Sequence, residues 1–177
     1  MITVADVMKL PSMYGATILA GHAGISNPVE SVTVLEYGQI TSTLDELFSQ
    51  TEFQGNALII SSFATIADDV DAQCENIRRY HAIGSAGFII FYIGLILPSV
   101  DDRVIACCNE LDLVLITMPG DIRTHKYSDV IGDIYHAIFK DQQAGSNYVS
   151  TLIFLQSSAT QAHYFVCSAT TCRHQLF

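Results

Sequence analysis

Positive charge is scarce in this sequence. Only 8 Lys and Arg residues stand against 18 Asp and Glu in 177 residues, which gives a formal net charge of −10. Proteins that bind nucleic acids rely on cationic side chains to neutralise phosphates, so this balance argues against direct binding of DNA or RNA by this chain. A long hydrophobic run is also lacking. The longest apolar stretch, residues 86–98, falls short of the roughly 20 residues that a membrane helix needs, and we predict no membrane partner.

Export signals are absent from the N-terminus, where Asp6 stands in place of the Lys or Arg of a signal peptide. The number of cysteines is odd, and without a secretory context this favours reduced thiols and a cytoplasmic protein. The five cysteines are Cys74, Cys107, Cys108, Cys167 and Cys172.

Catalytic motifs are missing as well. The sequence has no G-x-G-x-x-G, no G-x-x-x-x-G-K-[ST] and no G-x-S-x-G. The glycine pairs at 21–24 and 84–87 therefore predict turns. Paired acids at 45–46, 68–69 and 101–102 suit helix starts better than acid–base catalysis. The sequence predicts a non-enzyme without a cofactor. The alternatives are a small α/β enzyme using Ser61 or Cys107 as nucleophile, and a purely structural dimerisation module.

Three short apolar runs, at 57–60, 88–93 and 113–116, are typical of strands buried on both faces of a parallel sheet. Their separation matches that of β-α-β units. Further strands are expected at 17–20 and 29–35. The predicted fold is α/β, a small sandwich with a mostly parallel sheet of about 4–5 strands flanked by helices, plus a C-terminal tail.

Helices are predicted between the strands. Thr3 caps a short helix that runs through Leu10, and Ser99 opens another helix together with Asp102. Gly84 ends the helix that follows the first apolar run. The predicted buried faces are Val70, Cys74, Ile77 and His81; then Val104, Ile105, Cys108 and Leu111, with Cys107 turned away; and last Tyr127, Val130, Ile131, Ile134, Tyr135 and Ile138.

The tail differs in composition from the rest of the chain. Every Asp and Glu lies at or before Asp141, and residues 142–147 predict a linker. The tail is either a second structural piece or not the natural continuation of the domain. Residues 148–155 and 163–167 fit a hairpin, which favours a homo-oligomer because an apolar strand edge invites pairing. A weak zinc candidate also lies there, in His163, Cys167, Cys172 and His174.

The order of motifs in residues 1–141 resembles the N-terminal domain of PucR-type transcription regulators, the purine catabolism regulator-like family. The segments that carry the resemblance are ITVADVMKLP at 2–11, AGHAGISNPV at 20–29, SVTVLE at 31–36, ALIISS at 57–62, SAGFII at 85–90 and LVLITMP at 113–119. A looser similarity connects the pattern to DRTGG-type domains of signalling proteins.

The resemblance implies a non-enzymatic sensor domain at 1–141, followed by a linker and tail at 142–177. Such a domain senses a metabolite of purine or related nitrogen metabolism, or transmits a signal through dimer contacts. In full-length relatives a helix-turn-helix binds DNA, and this chain lacks that part, as a truncated or an isolated domain would. A small-molecule ligand is expected at the carboxyl ends of the strands, near Glu36, Tyr37, Ser61, Ser62, Tyr92, Met118 and Pro119. Those groups could equally cap strands or form a dimer contact.

Overall fold

The computed structural model describes residues 1–36, 55–121 and 124–145. The chain divides into two compact units, Met1–Phe139 and Lys140–Phe177. In the second unit the described residues, 140–145, are helical. The linker predicted at 142–147 is helical in its described part, residues 142–145. The rest of that linker, the hairpin, the zinc candidate and the acid pair at 45–46 lie outside the described residues.

A five-stranded sheet forms the centre of the first unit, in the order β2-β7-β6-β5-β4. The strands from β4 to β7 run parallel to one another, and β2 is antiparallel to β7. A separate two-stranded antiparallel ribbon pairs β1 with β3. The strands are β1 (Ile2–Thr3), β2 (Thr17–Ala20), β3 (Pro28–Val29), β4 (Ser31–Val34), β5 (Ala57–Ser61), β6 (Gly87–Ile90) and β7 (Val114–Thr117).

Helices lie along the chain between these strands and after the last one. They are α1 (Val4–Val7), α2 (Val70–Ala82), α3 (Asp102–Glu110) and α4, residues 127–139 of the first unit. Short 3₁₀ turns cover Pro11–Met13, His22–Ser26 and Ala64–Ile66. The mixed architecture with its mostly parallel sheet confirms the predicted fold class.

Both faces of the sheet are covered by apolar side chains. On β5, Leu58 and Ile60 belong to one cluster with α1 and α4, whereas Ile59 belongs to a second cluster with α2 and α3. Alternate residues of a strand point to opposite faces, so a run of consecutive apolar residues is needed when both faces are buried. The face predicted for α4 is confirmed: Val130, Ile134 and Ile138 are buried.

Acidic side chains cap the helices, as the acid pairs suggested. Asp69 accepts the N–H of Ala72 at the start of α2, and Asp101 accepts the N–H of Arg103 at the start of α3. The prediction that Ser99 opens α3 is therefore wrong by two positions. An aspartate directly before the helix can reach the free N–H groups, and a serine further upstream cannot.

Three other local predictions need correction. The helix capped by Thr3 ends at Val7, after which a turn leads to the 3₁₀ segment at Pro11. His81 is exposed, because the buried stripe of α2 steps from Ile77 to Tyr80. The strand predicted at 88–93 ends at Ile90.

Cys107 is buried, not turned away from the core as the sequence suggested. Its side chain is 3% exposed. The helix α3 packs against α2 as well as against the sheet, so its apolar stripe is wider than the one that a single contact surface requires.

Candidate functional site

The carboxyl ends of the parallel strands bring polar and aromatic side chains to one edge of the sheet. Glu36 lies two residues beyond β4, Ser62 directly follows β5, and Tyr92 lies two residues beyond β6. Neighbouring parallel strands end at the same edge, so residues far apart in sequence meet there. This edge is where the sequence placed a candidate ligand site.

Glu36 is the centre of a hydrogen-bond network at this edge. Its Oε1 accepts the backbone N–H of Ser62 at 2.9 Å and the phenolic O–H of Tyr127 at 2.6 Å. Its Oε2 accepts the Ser62 hydroxyl at 2.8 Å, and its backbone oxygen accepts the Thr65 hydroxyl at 3.0 Å. The carboxylate therefore joins the ends of β4 and β5 to the first turn of α4. We call Glu36, Ser62 and Tyr127 the carboxylate clip.

Aromatic rings cover one side of the carboxylate clip. The Tyr92 and Tyr127 rings are stacked, with centroids 5.4 Å apart and planes inclined by 21°. Phe91 meets Tyr127 edge to face at 4.6 Å. Offset and edge-to-face pairs of this kind add to the burial energy and hold ring positions. Tyr127 is thus fixed both through its hydroxyl group and through its ring.

Burial dominates the electrostatics of Tyr127. Loss of water raises the pKa of this phenol well above its ordinary value, and the hydrogen bond to the Glu36 carboxylate raises it further. Both effects favour the neutral phenol, since ionisation would place two negative charges side by side in a partly dry environment. Tyr127 therefore serves as a hydrogen-bond donor throughout the physiological pH range.

The backbone is strained at two aromatic residues beside the clip. Tyr92 has φ of 59° and Phe63, next to Ser62, has φ of 53°. Residues other than Gly, Asn and Asp rarely adopt this left-handed backbone conformation, which costs roughly 1–2 kcal/mol per residue. Such conformations persist where the surroundings hold them, and they concentrate at ligand and switch sites.

The other candidate residues lie at or near the same edge but have different environments. Ser61 is buried, and its Oγ accepts the N–H of Phe63 at 3.1 Å. Met118 is buried in the apolar cluster beneath α4, and Tyr92 packs against the same cluster. Pro119 is half-buried. Tyr37 lies outside the described residues. The structure thus brings Glu36, Ser62 and Tyr92 together around Tyr127, which the sequence did not indicate as a site residue.

Tyr127 was missed as a site residue because its helical spacing assigned it to an apolar face. That assignment is correct for its ring, which packs against the core cluster. Its hydroxyl group was the overlooked signal, because a partly buried tyrosine normally needs a hydrogen-bond partner. A tyrosine in the first turn of a helix and an acid beyond the end of a strand would together have indicated such a hydrogen-bonded pair.

A cleft lies between α2 and α3, away from the strand ends. The cleft has a volume of about 290 Å³ and shares no residue with the carboxylate clip. Its lining residues are Asp71, Cys74, Arg78, Arg103, Ala106, Cys107 and Glu110. Among residues 1–36, 55–121 and 124–145, no cluster of His, Cys, Asp or Glu could hold a metal ion.

Comparison with known families gives a match over most of the chain. A model of the purine catabolism regulatory protein-like family, PucR, matches residues 6–138. The chain belongs to this family. No curated protein and no solved structure matches it significantly.

The PucR match contains every described residue discussed at the strand ends, from Glu36 to Tyr127. It also contains both helices that form the cleft. Both features therefore belong to the PucR domain. No helix among the described residues is long and apolar enough to cross a membrane.

Proposed function

We propose that this chain is a sensor module of a bacterial transcription regulator, in which a small polar metabolite binds at the strand ends and acts on α4 through the carboxylate clip. The observation that carries the proposal is the hydrogen bond of 2.6 Å between Tyr127 and Glu36. It connects the edge of the sheet where the parallel strands end to α4.

The chemistry of the edge favours a planar heterocycle with N–H or O–H donors. Such a molecule can stack on Tyr92 and donate to Glu36 in competition with Tyr127. A ligand shifts a conformational equilibrium only by its difference in affinity between the two states. A molecule that donates to Glu36 in place of Tyr127 binds more tightly to the state in which Tyr127 has released the carboxylate. It therefore has the required difference in affinity. Purines and their breakdown products have the required shape and donors.

The proposal places the module in the cytoplasm, acting as a homo-oligomer without catalysis and without direct contact to DNA. The net charge of −10 supports the last point, since phosphate contacts need cations. Other subunits or other parts of a longer regulator would supply the helix-turn-helix. A salt-sensitive mobility shift of DNA by residues 1–177 would contradict this part of the proposal.

Catalysis by a strand-end serine is the competing function. Ser62 donates its hydroxyl to Glu36 at 2.8 Å, which superficially matches a nucleophile beside a base. The same carboxylate also accepts the Ser62 N–H and the Tyr127 O–H. Three donors already occupy both oxygens of this carboxylate, so the geometry suits a structural tie and a switch better than proton abstraction.

A calorimetric and thermal-shift screen of the full chain tests the proposal. Xanthine, urate and allantoin are suitable probes, and each is also assayed for conversion. We expect saturable stabilisation of about 2.7 kcal/mol at a hundredfold excess over the dissociation constant, with no turnover. The stabilisation should be lost in Glu36→Gln and retained in Glu30→Gln, an exposed carboxylate outside the clip. Turnover of a probe would favour the enzyme, and no stabilisation by any probe would overturn the proposed sensing of purine-related molecules.

A further inference from the structure

Two buried cysteines face each other in the cleft between α2 and α3. Cys74 belongs to α2 and Cys107 to α3, and their side chains are 5% and 3% exposed. The Cys107 thiol lies 3.9 Å from the backbone oxygen of Cys74. Both are free thiols that line the cleft. They come from different helices, so a bond between them would add a covalent link to two elements that otherwise meet through packing and the Arg103–Asp71 ion pair.

The contact meets the first requirement for a disulfide, close approach across the helix interface. A disulfide needs Cα atoms about 4.4–6.8 Å apart, so its two cysteines must be near neighbours in space. The Cys107 sulfur approaches the backbone oxygen of Cys74 to 3.9 Å, and the two thiols also interact through a side-chain hydrogen bond. Cys108, the next residue in α3, is buried but does not line the cleft.

The cleft gives small reagents access to the two sulfur atoms. Its volume of about 290 Å³ is large compared with a water molecule or a peroxide. Arg78 and Arg103 lie on its walls, and their positive charges oppose the rise in the pKa of Cys74 that burial causes. Guanidinium groups beside a cysteine favour the reactive thiolate. Burial remains the larger effect, so the pKa of Cys74 stays above its usual value, and the reactivity of the pair rests on access through the cleft and on the contact between the two thiols.

We propose that Cys74 and Cys107 form an oxidisable site whose two-electron oxidation by a hydroperoxide joins α2 to α3 through a reversible disulfide. One thiolate attacks an oxygen of the hydroperoxide, the O–O bond breaks, and a sulfenic acid and a water or alcohol molecule result. The second thiolate then attacks the sulfur of the sulfenic acid and forms the S–S bond. The hydroxyl group of the sulfenic acid leaves as water with the proton that the second thiol gave up. A dithiol reductant reverses the reaction by thiol–disulfide exchange.

Peptide mapping of the full chain tests the proposal. The reduced protein is exposed to hydrogen peroxide, free thiols are alkylated, and the chain is cleaved with trypsin without reduction. Cys74 then lies in the peptide 10–78, Cys107 and Cys108 lie in 104–123, and the tail cysteines lie in 141–173. We expect peptides 10–78 and 104–123 to be joined, with the loss of two hydrogen atoms, and to separate on reduction. A non-reducing gel should show the joined species at the size of a single chain.

Cysteine variants separate the neighbouring thiols. The joined peptide should persist in Cys108→Ala and vanish in Cys74→Ala and in Cys107→Ala. Persistence in Cys107→Ala would overturn the proposal. So would oxidation confined to the peptide 104–123 or to the tail, or oxidation to sulfinic acid without joining. Should a variant fail to fold, fragmentation of the joined peptide from the unmodified protein locates the bond at Cys107 or at Cys108 and decides the matter.

Discussion

The phenol of Tyr127 and the carboxylate of Glu36 are separated by 91 residues in sequence and by 2.6 Å in space. This bond is the most direct connection between the edge where the parallel strands end and the helix α4. Because the acceptor is a carboxylate, the bond belongs to the stronger, charge-assisted class.

Replacing Tyr127 with Phe tests the strength of this connection. The ring contacts with Tyr92 and Phe91 remain, and only the hydroxyl group is lost. We expect Tyr127→Phe to lower the free energy of unfolding in urea by about 1.5–3 kcal/mol, the range for hydrogen bonds to charged groups.

The matched control for this variant is Tyr135→Phe on the same helix. The Tyr135 hydroxyl donates to the neutral backbone oxygen of Val32 at 3.1 Å. Its loss should lower the free energy of unfolding by only about 0.5–1.5 kcal/mol. Equal effects of the two variants would contradict a special role for the carboxylate.

Alkaline unfolding should report the environment of Tyr127. Its pKa is raised in the folded chain, chiefly by burial. The folded state therefore holds this proton more tightly than the unfolded state, in which tyrosine titrates near pH 10. The resulting stability is complete below about pH 10 and is lost as the pH rises toward the folded pKa. Unfolding in urea between pH 8 and pH 11 should show a smaller decline in Tyr127→Phe than in the unmodified chain. An identical decline would mean that the phenol ionises freely in the folded state.

Gly21 occupies a position that no other residue can fill. Its φ is +66°, and a Cβ atom there would overlap the backbone oxygen and carbon of Leu113. Gly21→Ala should therefore destabilise the domain by more than about 3 kcal/mol, because the backbone of Leu113 cannot move without disturbing β7. Gly94 has a similar φ of +83°, but no atom lies within 4 Å of the added Cβ.

Gly94→Ala consequently isolates the backbone strain. It should cost about 1–2 kcal/mol, the usual penalty for a left-handed residue with a Cβ atom. Thermal melting of both variants measures the difference. A cost for Gly94→Ala that equals that of Gly21→Ala would show that the overlap with Leu113 is relieved by a backbone shift.

The sheet could be predicted from the sequence because burial on both faces leaves a direct trace. The runs at 57–60 and 113–116 each coincide with a central strand to within one residue at either end. The capping acids Asp69 and Asp101 were also accessible, since helix starts favour acids for local reasons. These features depend on residues that are close together in the chain.

Features that depend on long-range packing could not be predicted in the same way. Cys107 is buried because α2 lies against α3, and no local pattern shows that contact. Tyr127 bonds to Glu36 only because α4 lies over the ends of β4 and β5. The strand-end rule still placed Glu36, Ser62 and Tyr92 at one edge of the sheet, since it derives from the topology of parallel sheets rather than from local spacing.

The first turn of the chain should show acid sensitivity through Asp6. Its carboxylate accepts hydrogen bonds from Lys9 at 3.0 Å and from the Thr3 hydroxyl at 2.8 Å. These bonds, with that of Lys9 as the largest effect, lower the pKa of Asp6 from 3.8 to about 2. The unfolded chain therefore takes up the proton first, and the stabilisation is present above pH 3.8 and is lost between about pH 4 and pH 2. Melting temperatures of Asp6→Asn and the unmodified chain should differ at pH 6 and converge near pH 2. A constant difference across this range would contradict the assignment.

The core beneath α4 offers the most severe test of the fold. Ile134 is fully buried between α4 and the sheet, whereas His136, two residues later, is exposed. Ile134→Asp removes apolar contacts and places a carboxylate without a partner in the core. We expect a loss of about 3–5 kcal/mol at pH 7, against at most about 0.5 kcal/mol for His136→Asp.

The pH dependence separates the charge from the lost packing in Ile134→Asp. Burial raises the pKa of such a carboxyl group, so the folded state binds the proton more tightly than the unfolded state. The cost of the substitution should therefore shrink as the pH falls from 7 to 5, while the cost of Ile134→Ala stays constant. Urea unfolding of the three variants at both pH values measures this. A melting temperature for Ile134→Asp within a degree or two of the parent would mean that α4 does not bury this face.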